Sequence, residues 1–81
     1  MAHDFTLVPS DAVAVTPSDT ARIHLVGLYI GTGGDIAVVP AREGAVAVTL
    51  AAVPAGSIIP LAIRQVLSTG TTASGIVGLK T

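Results

Sequence analysis

Short apolar runs separated by turn-forming residues fill this chain from end to end. The punctuation returns every 8–12 residues, at Pro9-Ser10-Asp11, Pro17-Ser18-Asp19, Gly31 to Gly34, Arg42-Glu43-Gly44, Pro54-Ala55-Gly56 and Ser68 to Thr72. Between these marks lie runs rich in Val, Ile, Leu and Thr, whose branched side chains suit a pleated, half-buried surface. No segment carries a sustained 3.6-residue apolar period, so no helix longer than a turn is expected. The pattern predicts strands at Phe5–Val8, Val13–Thr16, Arg22–Ile30, Ile36–Val39, Val46–Leu50, Ile58–Leu67 and Ile76–Lys80. The fold class is all-β: a small antiparallel β-sandwich or barrel, in one domain spanning residues 1–81, with residues 1–10 as a candidate N-terminal arm.

Alternation assigns faces within the longer strands. In Arg22–Ile30, Ile23, Leu25, Gly27 and Tyr29 share one side, while His24, Val26, Leu28 and Ile30 share the other. Tyr29 is thereby expected inside. Both sides are apolar, as in a strand covered on two faces. In the sixth run, Ile59, Leu61 and Ile63 oppose Ile58, Pro60, Ala62 and Arg64. Pro60 cannot donate to a ladder, which places it at an edge or a bulge. Residues Gly44 to Ile63 form a charge-free stretch of 20, long enough for a membrane helix by length alone. The two prolines and the turn "VPAGS" within it point instead to strands around a turn. The N-terminal "MAHDFTLVPSD" has no basic segment ahead of an apolar core, so no signal peptide is expected.

Composition changes the picture by raising a surface problem. Hydrophobic residues make up 51% of the chain and charged residues only 11%, against roughly a quarter charged in an ordinary soluble domain. A lone domain of this size buries only about 60–65% of its unfolded surface. So few charges cannot cover the remainder, and burial against copies of itself or a partner is the natural remedy. Leu28, Ile30, Ile58 and Pro60, on the runs apolar on both faces, are the candidate oligomer-interface residues. A net charge of −1, with the four Lys and Arg spread singly, argues against nucleic acid as a partner. No cysteine is present, which removes disulfides, thiolate metal sites and thiol nucleophiles.

Candidate chemistry is sparse. "GTGGDI" places Ile36 where a dinucleotide-binding loop needs its third glycine, and no lysine precedes Lys80 to complete a P-loop. Its glycines are expected to supply positive φ at a hairpin corner closed with the help of Asp35. The two "PSD" copies are expected to be turns in which Ser or Asp bonds nearby amides. His3 and His24 lack companion ligands for a metal. No hydroxyl has a recognisable base and acid, and the carboxylates fall at turns or near the terminus, so no enzyme, cofactor or metal is expected. The polar loop "STGTTASG" is the exception in an apolar half. Its Thr69, Thr71, Thr72 and Ser74 are the candidate partner-contact residues.

Three stretches in order, "LYIGTGGDIAVV" (28–39), "VPAGSIIPLAIRQVLSTGTTAS" (53–74) and "GIVGLK" (75–80), carry a resemblance. Together they resemble the head spike base proteins of gene transfer agents and related tailed phages. Those are short, cysteine-free β-domains with Leu-Tyr-(Val/Ile)-Gly before a hairpin, Val-Pro-Ala-Gly before a long strand ending in Arg-x-Val, and a Thr-Gly-Thr-Thr-Ala loop before the last strand. The family pattern often has a polar or basic residue near position 62, where this chain has Ala62. The resemblance implies a structural virion protein made in the host cytoplasm. It would assemble as a homo-oligomeric ring, a pentamer, on the major capsid protein at vertices and anchor a spike or fibre protein. A capsid decoration protein and a small carbohydrate-binding β-module are the alternative readings. The last is disfavoured because the chain has no Trp and a single Tyr, assigned to the interior.

Overall fold

A computed structural model describes residues 9–80; the expected strand at Phe5–Val8 and most of the N-terminal arm fall outside them. Seven strands follow one another: β1 (Asp11–Ala14), β2 (Gly27–Thr32), β3 (Gly34–Pro40), β4 (Val48–Val53), β5 (Ile58–Ile59), β6 (Ile63–Val66) and β7 (Ser74–Lys80). They form a four-stranded sheet, in the order β1-β7-β2-β5, and a three-stranded sheet, β4-β3-β6. Every pairing is antiparallel. The architecture is the expected all-β sandwich.

The core between the sheets is aliphatic. Leu25, Leu28, Ile30, Ile36, Val38, Ile63, Val66, Ala73 and Ile76 form it, and no buried polar side chain interrupts it among the described residues. Without large rings to fill space, complementarity comes from small against large. Gly78 illustrates this: a Cβ added there would lie 2.5 Å from Leu25 Cδ2, so the leucine occupies the volume the glycine leaves.

Two segments read from sequence as single strands each serve both sheets. Residues 23–25 hydrogen-bond to β6: the Ile23 amide donates to the Arg64 carbonyl at 2.8 Å, and Leu25 bridges Ile63. Past Val26 the chain joins the other sheet as β2. In the opposite direction, β5 pairs with β2, the chain turns at Pro60 with a Leu61 amide-to-Ile59 carbonyl bond, and β6 resumes in the three-stranded sheet. The proline stands where no ladder hydrogen is needed, as expected for an edge or a break.

This crossing corrects the face assignment. Leu25 and Gly27 are buried, but so are Leu28 and Ile30, while His24, Val26 and Tyr29 are exposed. Alternation holds on each side of Val26–Gly27 and slips by one residue at the transfer between sheets. Tyr29 is therefore an outside residue. The glycine stretch is corrected too. Gly31 to Gly34 does not close a hairpin, because β2 and β3 belong to different sheets. The glycines permit close backbone approach at the crossing: a Cβ on Gly31 would sit 2.8 Å from the Gly75 carbonyl oxygen, and one on Gly33 2.7 Å from that of Val53. Asp35 secures the corner by accepting the Ala52 amide at 2.9 Å, where Ala52 takes a φ of 54°.

Candidate assembly surface

The ladder registers stack the strands of the larger sheet into rows. One row, Val13, Gly78, Leu28 and Ile59, faces the core. The next, Ala14, Val77, Tyr29 and Ile58, faces away from it and crosses all four strands. Ala12, Leu79 and Gly27 lie on the same outer side, as do Gly31 and Gly75 beyond Tyr29 and Val77. Among the described strand residues, this outer face carries no charged side chain, and the Tyr29 hydroxyl is its one side-chain polar group. Tyr29 is 40% exposed and Ile58 65% exposed, so the sheet offers water a contiguous apolar surface of the kind that soluble monomers avoid.

A second apolar area lies on the other sheet. β4 is its edge strand, and the approach to it leaves Val46 75% exposed and Val48 46% exposed. Together with Pro40, Arg42, Gly44 and Ala45 they line a shallow groove of about 350 Å³. Natural edge strands are usually blunted by a lysine, a proline or an inward charge. β4 has none of these along Val48–Val53. The two apolar areas are different surfaces.

The interface candidates separate on this map. Ile58 and Pro60 are exposed. Leu28 and Ile30 are fully buried in the domain's own core, so they cannot touch a neighbour; Tyr29, between them, can. The slip at Val26 turns Leu28 and Ile30 into the core and Tyr29 outward.

The 68–74 loop is held from within. The Thr69 hydroxyl donates to the Asp19 carboxylate at 2.6 Å, and the Ser68 and Thr69 amides donate to the same carboxylate at 3.0 Å each. The Thr71 hydroxyl donates to the Leu67 carbonyl and accepts the Ala37 amide, and the Thr72 hydroxyl accepts the Asp35 amide. Three of the four candidate hydroxyls are thus engaged within the domain, Thr71 and Thr72 with backbone and Thr69 with the Asp19 carboxylate; Ser74 is exposed. Asp19 comes from the second Pro-Ser-Asp turn, where Ser18 accepts the Thr20 and Ala21 amides as expected, but the aspartate reaches a loop about 50 residues away. No local turn signal discloses that.

The Thr69 hydroxyl, with the Thr69 and Ser68 amides, holds the Asp19 carboxyl below its ordinary value. A lowered folded value means that the ionised form stabilises the loop. That contribution is complete above the ordinary carboxylate range and is lost as pH falls through the lowered value. Hydrogen-exchange protection of the Ser68 and Thr69 amides should therefore drop on acidification through that window. Asp19→Ala should remove the step and leave low protection at every pH. Protection that is indifferent to both pH and the substitution would refute this role.

Among the described residues, no group of three or more His, Cys, Asp or Glu is placed to share a metal ion, and no helix is long and apolar enough to cross a membrane. The decisive comparison is with a solved structure, the capsid of a native gene transfer agent particle computed with C5 symmetry. One of its chains superposes with a TM-score of 0.79 at 30% identity, over 98% of this chain and 100% of that one. This chain belongs to the family of that capsid component. The match spans nearly the whole chain, so the overall fold is shared. No family model and no curated protein matches the chain.

Proposed function

We propose that the protein is a non-enzymatic structural component of a gene transfer agent or phage-like capsid: a head spike base that forms a five-fold ring at a capsid vertex and anchors a spike or fibre. The full-length likeness to a chain of a capsid solved with C5 symmetry carries this reading. The surface supports it independently. A closed ring uses heterologous contacts, one patch meeting a different patch on the next copy, and closure hides every copy of both. The outer face of the β1-β7-β2-β5 sheet and the β4 edge are two such patches. In this arrangement the 68–74 loop, including Thr69, Thr71, Thr72 and Ser74, presents a fixed shape to a partner more than free hydroxyls. The major capsid protein and the spike or fibre protein are the implied partners.

Native mass spectrometry of the purified protein tests the reading. Five copies are expected. Three copies would favour a decoration protein at a capsid three-fold, and a stable monomer at high concentration would remove the physical basis of ring assembly. Sugar binding is the weaker alternative even with Tyr29 exposed, because one tyrosine on a flat sheet face, without Trp, makes a poor stacking platform.

A further inference from the structure

All four of the chain's Lys and Arg residues stand toward one end of the sandwich, although the sequence spreads them singly. Arg22 and Arg64 line an open cleft of about 400 Å³ with Ile23, His24, Ala41 and Glu43. Arg42 lines the adjoining groove. Lys80 ends β7 at the same end, facing Asp11 across the β1–β7 ladder, one residue past Leu79, whose carbonyl accepts the Val26 amide. Asp19 and Asp35 lie at the opposite end, and each is already occupied by backbone amides. Among the described residues, the four cations and His24 thus lie with Asp11 and Glu43 toward one end, and Asp19 and Asp35 lie toward the other.

We propose that the Arg22–Arg64 cleft is a docking site for an acidic segment of a partner protein, with a partner carboxylate received between the two guanidinium groups. The planar guanidinium fork matches carboxylate geometry and suits partly desolvated contacts. Arg64 is half-buried and one arm is fixed, its Nη2 donating to the Ala45 carbonyl at 3.2 Å, so the rest of its fork is held ready. Ile23 and Ala41 give the cleft an apolar wall that suits the methylenes of a glutamate. Two carboxylates among the cations, and no basic run, fit a protein better than a nucleic acid strand. This cleft adjoins the apolar groove beside β4 and lies apart from the outer face of the larger sheet, and the proposal does not rest on ring formation.

Nitrogen-15 NMR of the full chain, titrated with acetylated hexaglutamate, provides the test. Saturable shifts centred on Arg22, His24 and Arg64 are expected, weakening steeply as salt rises from about 20 to 200 mM. Arg22→Glu should weaken binding by about tenfold or more. Arg64→Lys, which keeps the charge and loses the fork, should weaken it measurably while leaving the melting temperature near the native value. Equal binding of hexaglutamine would overturn the proposal, as would unchanged affinity in both variants. Tighter binding of inorganic phosphate at the same amides would make this a small-anion site, and tighter binding of a short oligonucleotide would make it a polyanion patch; either result rejects a protein segment as the occupant.

Discussion

Ile58→Lys and Tyr29→Lys should each convert the assembled protein to soluble monomers that keep the native fold. Both residues belong to the outer row Ala14, Val77, Tyr29 and Ile58, and both are exposed in the single chain. A charge placed there costs the monomer little. Against a neighbouring copy the same charge is desolvated without a partner, at several kcal/mol. The proposed ring repeats that penalty at every contact, so assembly should fail completely. Sedimentation velocity reads the loss of the oligomer, and circular dichroism with thermal melting reads the retained fold. Thr20→Lys, on an exposed polar turn, should assemble normally. Retention of the native assembly mass by Ile58→Lys would show that this sheet face lies outside the interface.

Leu28→Asp should instead prevent folding. The two positions sit on paired strands, but Leu28 is fully buried in the row Val13, Gly78, Leu28 and Ile59. An unpaired carboxylate there costs several kcal/mol, against a total stability of roughly 4–12 kcal/mol for a domain of this length. Even Leu28→Ala should remove about 2–5 kcal/mol. The expected result is an unfolded or insoluble Leu28→Asp chain beside a soluble, monomeric Ile58→Lys chain. A folded, monomeric Leu28→Asp protein would mean that the side chain faces a neighbour after all.

The contrast between these residues marks how far sequence reading reaches. The β class, the strand-sized spacing and the need for partners follow from local composition and periodicity. Ile36–Val39 and Ile76–Lys80 fall inside the observed β3 and β7 because each stays in one sheet. Arg22–Ile30 and Ile58–Leu67 do not, since a strand that changes sheets keeps its β-branched character while its phase slips. The glycines of Gly31–Gly34 were identifiable as a corner. Whether that corner folds back as a hairpin or crosses to another sheet depends on backbone neighbours such as Gly75 and Val53, which lie far along the chain. The same holds for Asp19 and the 68–69 amides, and for the clustering of Arg22, Arg42, Arg64 and Lys80. Composition gives a charge count; only the fold gives a charge geometry.

The place of β7 sets an order on biosynthesis. It is the last of the described strands, and it lies in the interior of the larger sheet, between β1 and β2, which do not pair with each other. Translation delivers the N-terminal strands first. Until β7 leaves the ribosome, β1 has no partner, β2 has only the two-residue β5, and the outer apolar row does not exist as a surface. The smaller sheet, complete within residues 34–66, can form earlier. Nascent copies on one message therefore cannot join prematurely through that face. In the proposed assembly, association through it requires chains that already carry β7, and a protein truncated before Ser74 should fail to join a ring because the surface was never built.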